Sequence, residues 1–125
     1  IYVRTGEYTW IRKRTGNDIW RNLYEPLLIE TETDLTENLE VLVQKLQDVL
    51  GETPLDLLKT VKCGVRHVLS HRIIHANFYE LRLPDGSTPI EGYQQVAEED
   101  LHNFAVSNLV YQFFSLILEP NHKKE

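Results

Sequence analysis

Between residues 39 and 50 the apolar positions Leu39, Leu42, Val43, Leu46, Val49 and Leu50 recur at offsets 0, 3, 4, 7, 10 and 11, one face of an α-helix. Asp34 with Glu37 three residues on predicts a capping pair at its start, and Gly51 a stop at its end. Pro54 opens the next connection. Downstream the period changes to two. Leu57–Leu69 and Ile73–Leu83 read as strands joined near Ser70. In the second, Ile73, His75, Asn77, Tyr79, Leu81 and Leu83 share one face, and Ile74, Ala76, Phe78, Glu80 and Arg82 the other. Pro84-Asp85-Gly86-Ser87 is a turn signal. Tyr8–Arg14 reads as a strand and Thr15–Asp18 as a loop. Pro26 leads into a strand at Leu27–Thr31, because proline suits the first residues of a strand or its edge. Tyr93–Val96 predicts a short strand, Ala97–Leu101 a short helix, and Asn103–Val106 a link. A last helix over Ser107–Leu118 has Leu109, Val110, Phe113, Leu116 and Ile117 as its buried stripe. Strands mixed with helices at these spacings give an α+β or mixed α/β layered domain.

Length and composition narrow the class. The 125 residues suit a single domain over 1–125, large enough to bury a core. No apolar run approaches the roughly 18 residues of a membrane span, and no signal peptide is visible. Cys63 is the only cysteine, which excludes an internal disulfide and a four-cysteine iron–sulfur cluster within these residues. The sequence has no methionine, as expected of a processed chain or, in the reading favoured here, a piece of a longer protein.

Charge changes the picture more. The net charge of −6 argues against a free-standing nucleic-acid binder. Yet from Lys59 to Tyr79 there are Lys59, Lys62, Arg66 and Arg72 with His67, His71 and His75, and no acid. The acids gather in Glu30–Glu40 and Glu98–Asp100. Two readings of the cationic strip stay open: contact with phosphate on one face of an acidic body, or chance clustering on a solvated hairpin.

The chemistry-bearing patterns are few. No glycine-rich phosphate loop occurs. Ser70 beside His71 lacks the glycines of a nucleophile elbow. Histidines at 67, 71 and 75 are spaced by four, a zinc pattern on a helix but not across strand, turn and strand. No metal site is assigned.

Two segments carry a resemblance. Trp10-Ile11-Arg12-Lys13-Arg14 followed by Ile19-Trp20-Arg21-Asn22-Leu23-Tyr24-Glu25-Pro26 forms the first, and Arg66-His67-Val68-Leu69-Ser70-His71 the second. The order of elements resembles the Nudix fold, whose hydrolases hold magnesium on a helix reading Arg-Glu-x-x-Glu-Glu-x-Gly. Anchored on Gly51, the arginine position is Gln44 and the glutamate positions are Lys45, Asp48 and Val49. One acid cannot hold a magnesium cluster, which needs several hard oxygen ligands. The two segments, with Phe104–Val110 before the last helix, are similar to the C-terminal domain of the adenine DNA glycosylases of the MutY family, which keeps the scaffold without the signature. Leu69 stands where that family commonly has Phe.

The resemblance implies an α+β, Nudix-like mixed sheet sandwiched between helices. It implies a non-catalytic domain that inspects 8-oxoguanine opposite a mispaired adenine in double-stranded DNA. An N-terminal glycosylase domain of the same protein would flip and excise the adenine in base excision repair, and the family's iron–sulfur cluster would lie there. Localisation would be intracellular, in the cytoplasm or nucleoid if bacterial. In 8-oxoguanine N7 carries a hydrogen and C8 a carbonyl, so the Ser70 hydroxyl would accept from N7–H and a nearby backbone N–H would donate to O8. His71 would contact the exocyclic amino group or a phosphate, and Leu69 would be the apolar wedge. Lys62, Arg66 and Arg72 would meet phosphates. Read from the residues alone, Ser70 is an ordinary turn serine, His67 is structural or solvated, and Trp10 and Trp20 are core. Likewise, Arg12, Lys13 and Arg14 are then a solvated strand end. Two other functions remain: a divergent Nudix hydrolase of damaged nucleotides with Glu37, Glu40 and Asp48 as metal ligands, and a protein-interaction module using the acidic face.

Overall fold

A computed structural model describes the chain except for residues 17, 19, 36–37, 52–54, 85, 87–88 and 119–125. Strand β1 (Tyr2–Thr5) turns at Gly6 into β2 (Tyr8–Lys13). Thr5 pairs directly with Tyr8, and Gly6 takes φ +61°, a conformation that costs a residue without Cβ little. Then follow β3 (Tyr24–Glu25), α1 (Leu39–Leu50), β4 (Leu58–Val68), β5 (Ile73–Arg82) and β6 (Gln94–Ala97). A 3-10 helix (Glu98–Asn103) and α2 (Asn108–Leu118) complete the described chain. The sheet order is β3-β2-β1-β5-β4, with β6 also paired to β2. β1 and β5 run parallel while the other strand pairs are antiparallel, so the sheet is mixed.

Alternation along the central strands builds two cores. Val3, Trp10, Tyr79 and Leu81 meet Leu42 and Leu46 of α1 on one side. Tyr2, Ile11 and Phe78 meet Phe113 and Phe114 of α2 on the other, where the Phe78 and Phe113 rings stack at 4.4 Å. The expected sandwich of a mixed sheet between helices is the fold.

Several expectations are corrected. The strand placed at Leu27–Thr31 does not form. The chain pairs before Pro26, where Tyr24 and Glu25 meet Lys13 and Arg12, and the proline, lacking an N–H, ends the ladder. Leu27 is buried from a loop. β1, unassigned in the sequence reading, is a central strand; Gly6-Glu7 between two runs of β-formers is the signal that marks it. In α1 the stripe is broader than the contact, because Leu39 and Val49 are exposed. In α2, Leu116 is exposed and Phe114 is buried edge-on against Tyr2, so the packed face is centred nearer Phe113–Phe114. Ser107 caps α2 by accepting from the Val110 N–H at 3.2 Å. For α1 the N-cap is Asn38. Glu37 of the expected pair lies outside the described residues, and the carboxylate of Asp34 accepts from Asn77 Nδ2 at 3.0 Å. The turn at residues 84–87 also lies partly outside them.

Candidate functional site

β4 and β5 form a long hairpin whose register breaks twice, between Thr60 and Lys62 and between Lys62 and Val65. The second break is a bulge at Cys63-Gly64. Gly64 sits at φ +70°, which suits glycine, and its N–H donates to Asn77 Oδ1 at 2.9 Å. Asn77 in turn reaches Asp34 in the segment before α1. An Asp34–Asn77–Gly64 clamp thus ties the hairpin to the segment before α1, while on the tip side of the bulge Val65 and Ala76 still pack in the α2-side core.

At the tip, Val68 pairs with Ile73, and the Leu69 N–H donates to the Arg72 carbonyl at 2.8 Å. Ser70 and His71 are the two residues left at the reversal, and both are exposed. Neither their side chains nor their N–H groups have a hydrogen-bond partner among the described residues. Leu69 is half-buried. The three residues expected to read a base therefore do share one turn, with two of them open to a ligand.

The cationic strip divides on folding. Lys59 pairs with the buried Glu80 at 3.2 Å, alongside Arg4 at 3.0 Å. Lys62, Arg66 and Arg72 are exposed and make no ion pair with the described residues. Arg72 still acts on Asp18, whose carboxyl is held below the usual range first by the Arg14 hydrogen bond and more weakly by the Arg72 charge. β4 is an edge strand, so these cations also discourage pairing with another chain.

Arg12 and Arg14 are not a solvated strand end. Arg12 binds the buried Glu25 at 2.8 Å, and Arg14 binds Asp18, Glu25 and Glu30 at 2.8, 3.2 and 3.1 Å. The Arg14 N–H and carbonyl also bond Leu23 and Asn22. This closes a loop that holds the half-buried Trp20 6.2 Å from the His67 ring, so the loop buttresses the inner face of the hairpin. Trp10 is core, as expected. An apolar cavity of about 110 Å³ opens under the same loop, lined by Trp20, Leu23, Leu27, Phe78, Val110 and Phe113. Two acids of the expected acidic face are spent internally. Glu30 holds Arg14, and Glu98 accepts from Tyr2 Oη at 2.5 Å and Arg4 Nε at 2.8 Å. Burial and the Glu98 carboxylate raise the Tyr2 phenol well above its ordinary pKa.

The candidate metal ligands are dispersed. His67 and His75 pair across the hairpin with Ile74 and Arg66, on opposite faces. Glu40 and Asp48 are both exposed on α1, eight residues and thus about 12 Å apart along the axis. Asp48 accepts from Gln44 at 3.2 Å, and Glu37 lies outside the described residues. Among the described residues no three of His, Cys, Asp or Glu gather closely enough to hold an ion, and no helix is long and apolar enough to cross a membrane.

The family model for the NUDIX domain matches residues 1–116. No curated protein sequence matches the chain. Among solved structures, the fold is similar to that of the C-terminal domain of mouse MUTYH, determined in complex with human PCNA. The TM-score is 0.72 at 20% identity, covering 99% of this chain and 86% of that one.

Proposed function

This chain belongs to the NUDIX domain family, and from that premise we propose that it is a lesion-reading DNA-binding domain of an adenine DNA glycosylase, inspecting 8-oxoguanine opposite adenine. The observation that carries the reading is the hairpin tip: Ser70 and His71 exposed, without hydrogen-bond partners among the described residues, and bracketed in sequence by Arg66 and Arg72. The likeness in fold to the MUTYH domain supports it. So does the helix at the hydrolase signature, which offers Lys45, Asp48 and Val49 at the three glutamate positions and so a single acid for magnesium.

The donors and acceptors at the tip suit the lesion. The Ser70 oxygen accepts from N7–H. The Leu69 N–H is committed to Arg72, so the donor to O8 is the backbone N–H of Ser70 or His71. Undamaged guanine presents N7 as an acceptor and nothing at C8. A rotated hydroxyl can still donate to that N7, so the serine alone discriminates by only about 1 kcal/mol, and the O8 contact supplies the remainder. Lys62, Arg66 and Arg72 set register on phosphates without reading sequence. Excision of adenine belongs to an N-terminal glycosylase domain in the same protein, where the iron–sulfur cluster resides.

The test is titration of the chain with a duplex bearing 8-oxoguanine opposite adenine and with its guanine twin. Tighter binding to the lesion, lost in Ser70→Ala with His71→Ala, is expected. Equal affinity of the wild-type chain for both duplexes overturns the reading, as does magnesium-dependent release of pyrophosphate from nucleoside diphosphate derivatives.

A further inference from the structure

Beyond the Gly64 bulge, the pairs Arg66–His75 and Val68–Ile73 put four side chains on one face of the hairpin. The opposite face carries Val65, His67, Ile74 and Ala76; Val65 and Ala76 join the α2-side core and His67 meets Trp20. The outer four are all exposed, Val68 at 62% and Ile73 at 42%. Scattered exposed aliphatics are normal. These two are instead set directly opposite each other at the end of the hairpin, next to the open Ser70-His71 turn. Water gains nothing from such a pair, and an edge hairpin without a partner is better protected by charge there.

The surroundings indicate the partner. No acid occurs between Lys59 and Tyr79, and Arg66 makes no ion pair with a described residue. An aliphatic pair within a cationic rim complements a polyanion whose charged ridges flank less polar sugars and base edges, which is the surface of duplex DNA. We propose that Arg66, Val68, Ile73 and His75 form a DNA-contacting face beside the Ser70 turn. Val68 and Ile73 pack on deoxyribose and base edges next to the inspected base, while Arg66 and His75 hold the flanking phosphates. The assignment rests on the lesion-reading function above. It moves the apolar contact from Leu69, which the fold half-buries, to a pair that the fold exposes.

Contact is read directly by titrating the methyl-labelled wild-type chain with the 8-oxoguanine:adenine duplex. The Val68 and Ile73 methyl resonances should shift and show cross-relaxation to deoxyribose protons. Val68→Thr with Ile73→Thr keeps β-branched residues in the strands and removes no charge. It should weaken binding about fivefold to damaged and undamaged duplexes alike, with an unchanged salt slope. Methyl resonances that stay fixed while the Ser70 and His71 amides shift would overturn this face and leave the lesion reading standing. A hairpin in which neither methyls nor amides respond to duplex would overturn both.

Discussion

Asn77→Asp isolates the clamp that supports the hairpin. The Asn77 amide accepts from the Gly64 N–H at 2.9 Å and donates to Asp34 at 3.0 Å. A carboxylate at 77 keeps the first bond and loses the second. One lost exposed hydrogen bond costs about 0.5–1.5 kcal/mol. The new charge also stands against the Asp34 carboxylate, and like charges about 4 Å apart repel by about 1 kcal/mol where water screens them. The variant should therefore be roughly 2 kcal/mol less stable than wild type at pH 7. The repulsive part depends on pH with a defined sign. Mutual repulsion raises the pKa of the pair in the folded state above its unfolded value, so the penalty is present when both groups are ionised. As the pH falls through those raised values, the folded state takes up a proton first and the penalty fades. Urea unfolding of both proteins at pH 7 and at about pH 4, near the ordinary carboxyl range, should show the gap narrowing by about 1 kcal/mol. Asn77→Ala, with both bonds gone, should be destabilised without that narrowing, and its Gly64 amide should exchange faster. A gap for Asn77→Asp that stays constant across this range, or no gap, would refute the clamp.

Ser70→Ala should lower discrimination between 8-oxoguanine:adenine and guanine:adenine by about 1 kcal/mol, roughly fivefold, in single-turnover adenine release by the full-length protein. Adding His71→Ala should lower it further, with the melting temperature unchanged in both because the two side chains are exposed. Arg66→Ala with Arg72→Ala should weaken binding to damaged and undamaged duplexes about equally, reducing the slope of log K against log salt by about 2; selective loss on the lesion would mean that these arginines read the base. Leu46→Ala, at a fully buried position between α1 and the sheet, should cost about 2–5 kcal/mol in chemical denaturation, and a cost below 1 would place α1 off the core.

Local periodicity made the framework legible. The bounds of α1, Leu39–Leu50, follow from apolar spacing and the left-handed stop at Gly51, where the N–H bonds Gln47. The hairpin with its reversal at Ser70, and the assignment of Tyr79 and Leu81 to one face and Phe78 to the other, follow from alternation along a single strand. The tip turn is local too, but Leu69, Ser70 and His71 stand out as a site only through the resemblance to the MutY-family loop; the residues alone mark an ordinary hairpin turn. Tertiary structure decided whatever depends on residues far apart in the chain. Glu80 lies on a readable strand, but its burial beneath Arg4 and Lys59 requires β1 to run parallel beside β5 and β4 to run along its other side. Arg12 and Arg14 look like surface charge until Glu25 is brought opposite them, because a strand pair before Pro26, not after it, sets that register. The resemblance likewise puts the apolar contact at Leu69, beside Ser70. The packing of the tip half-buries it and exposes Val68 and Ile73 instead, since the face a side chain takes beyond a bulge is set by the partner strand and its clamp.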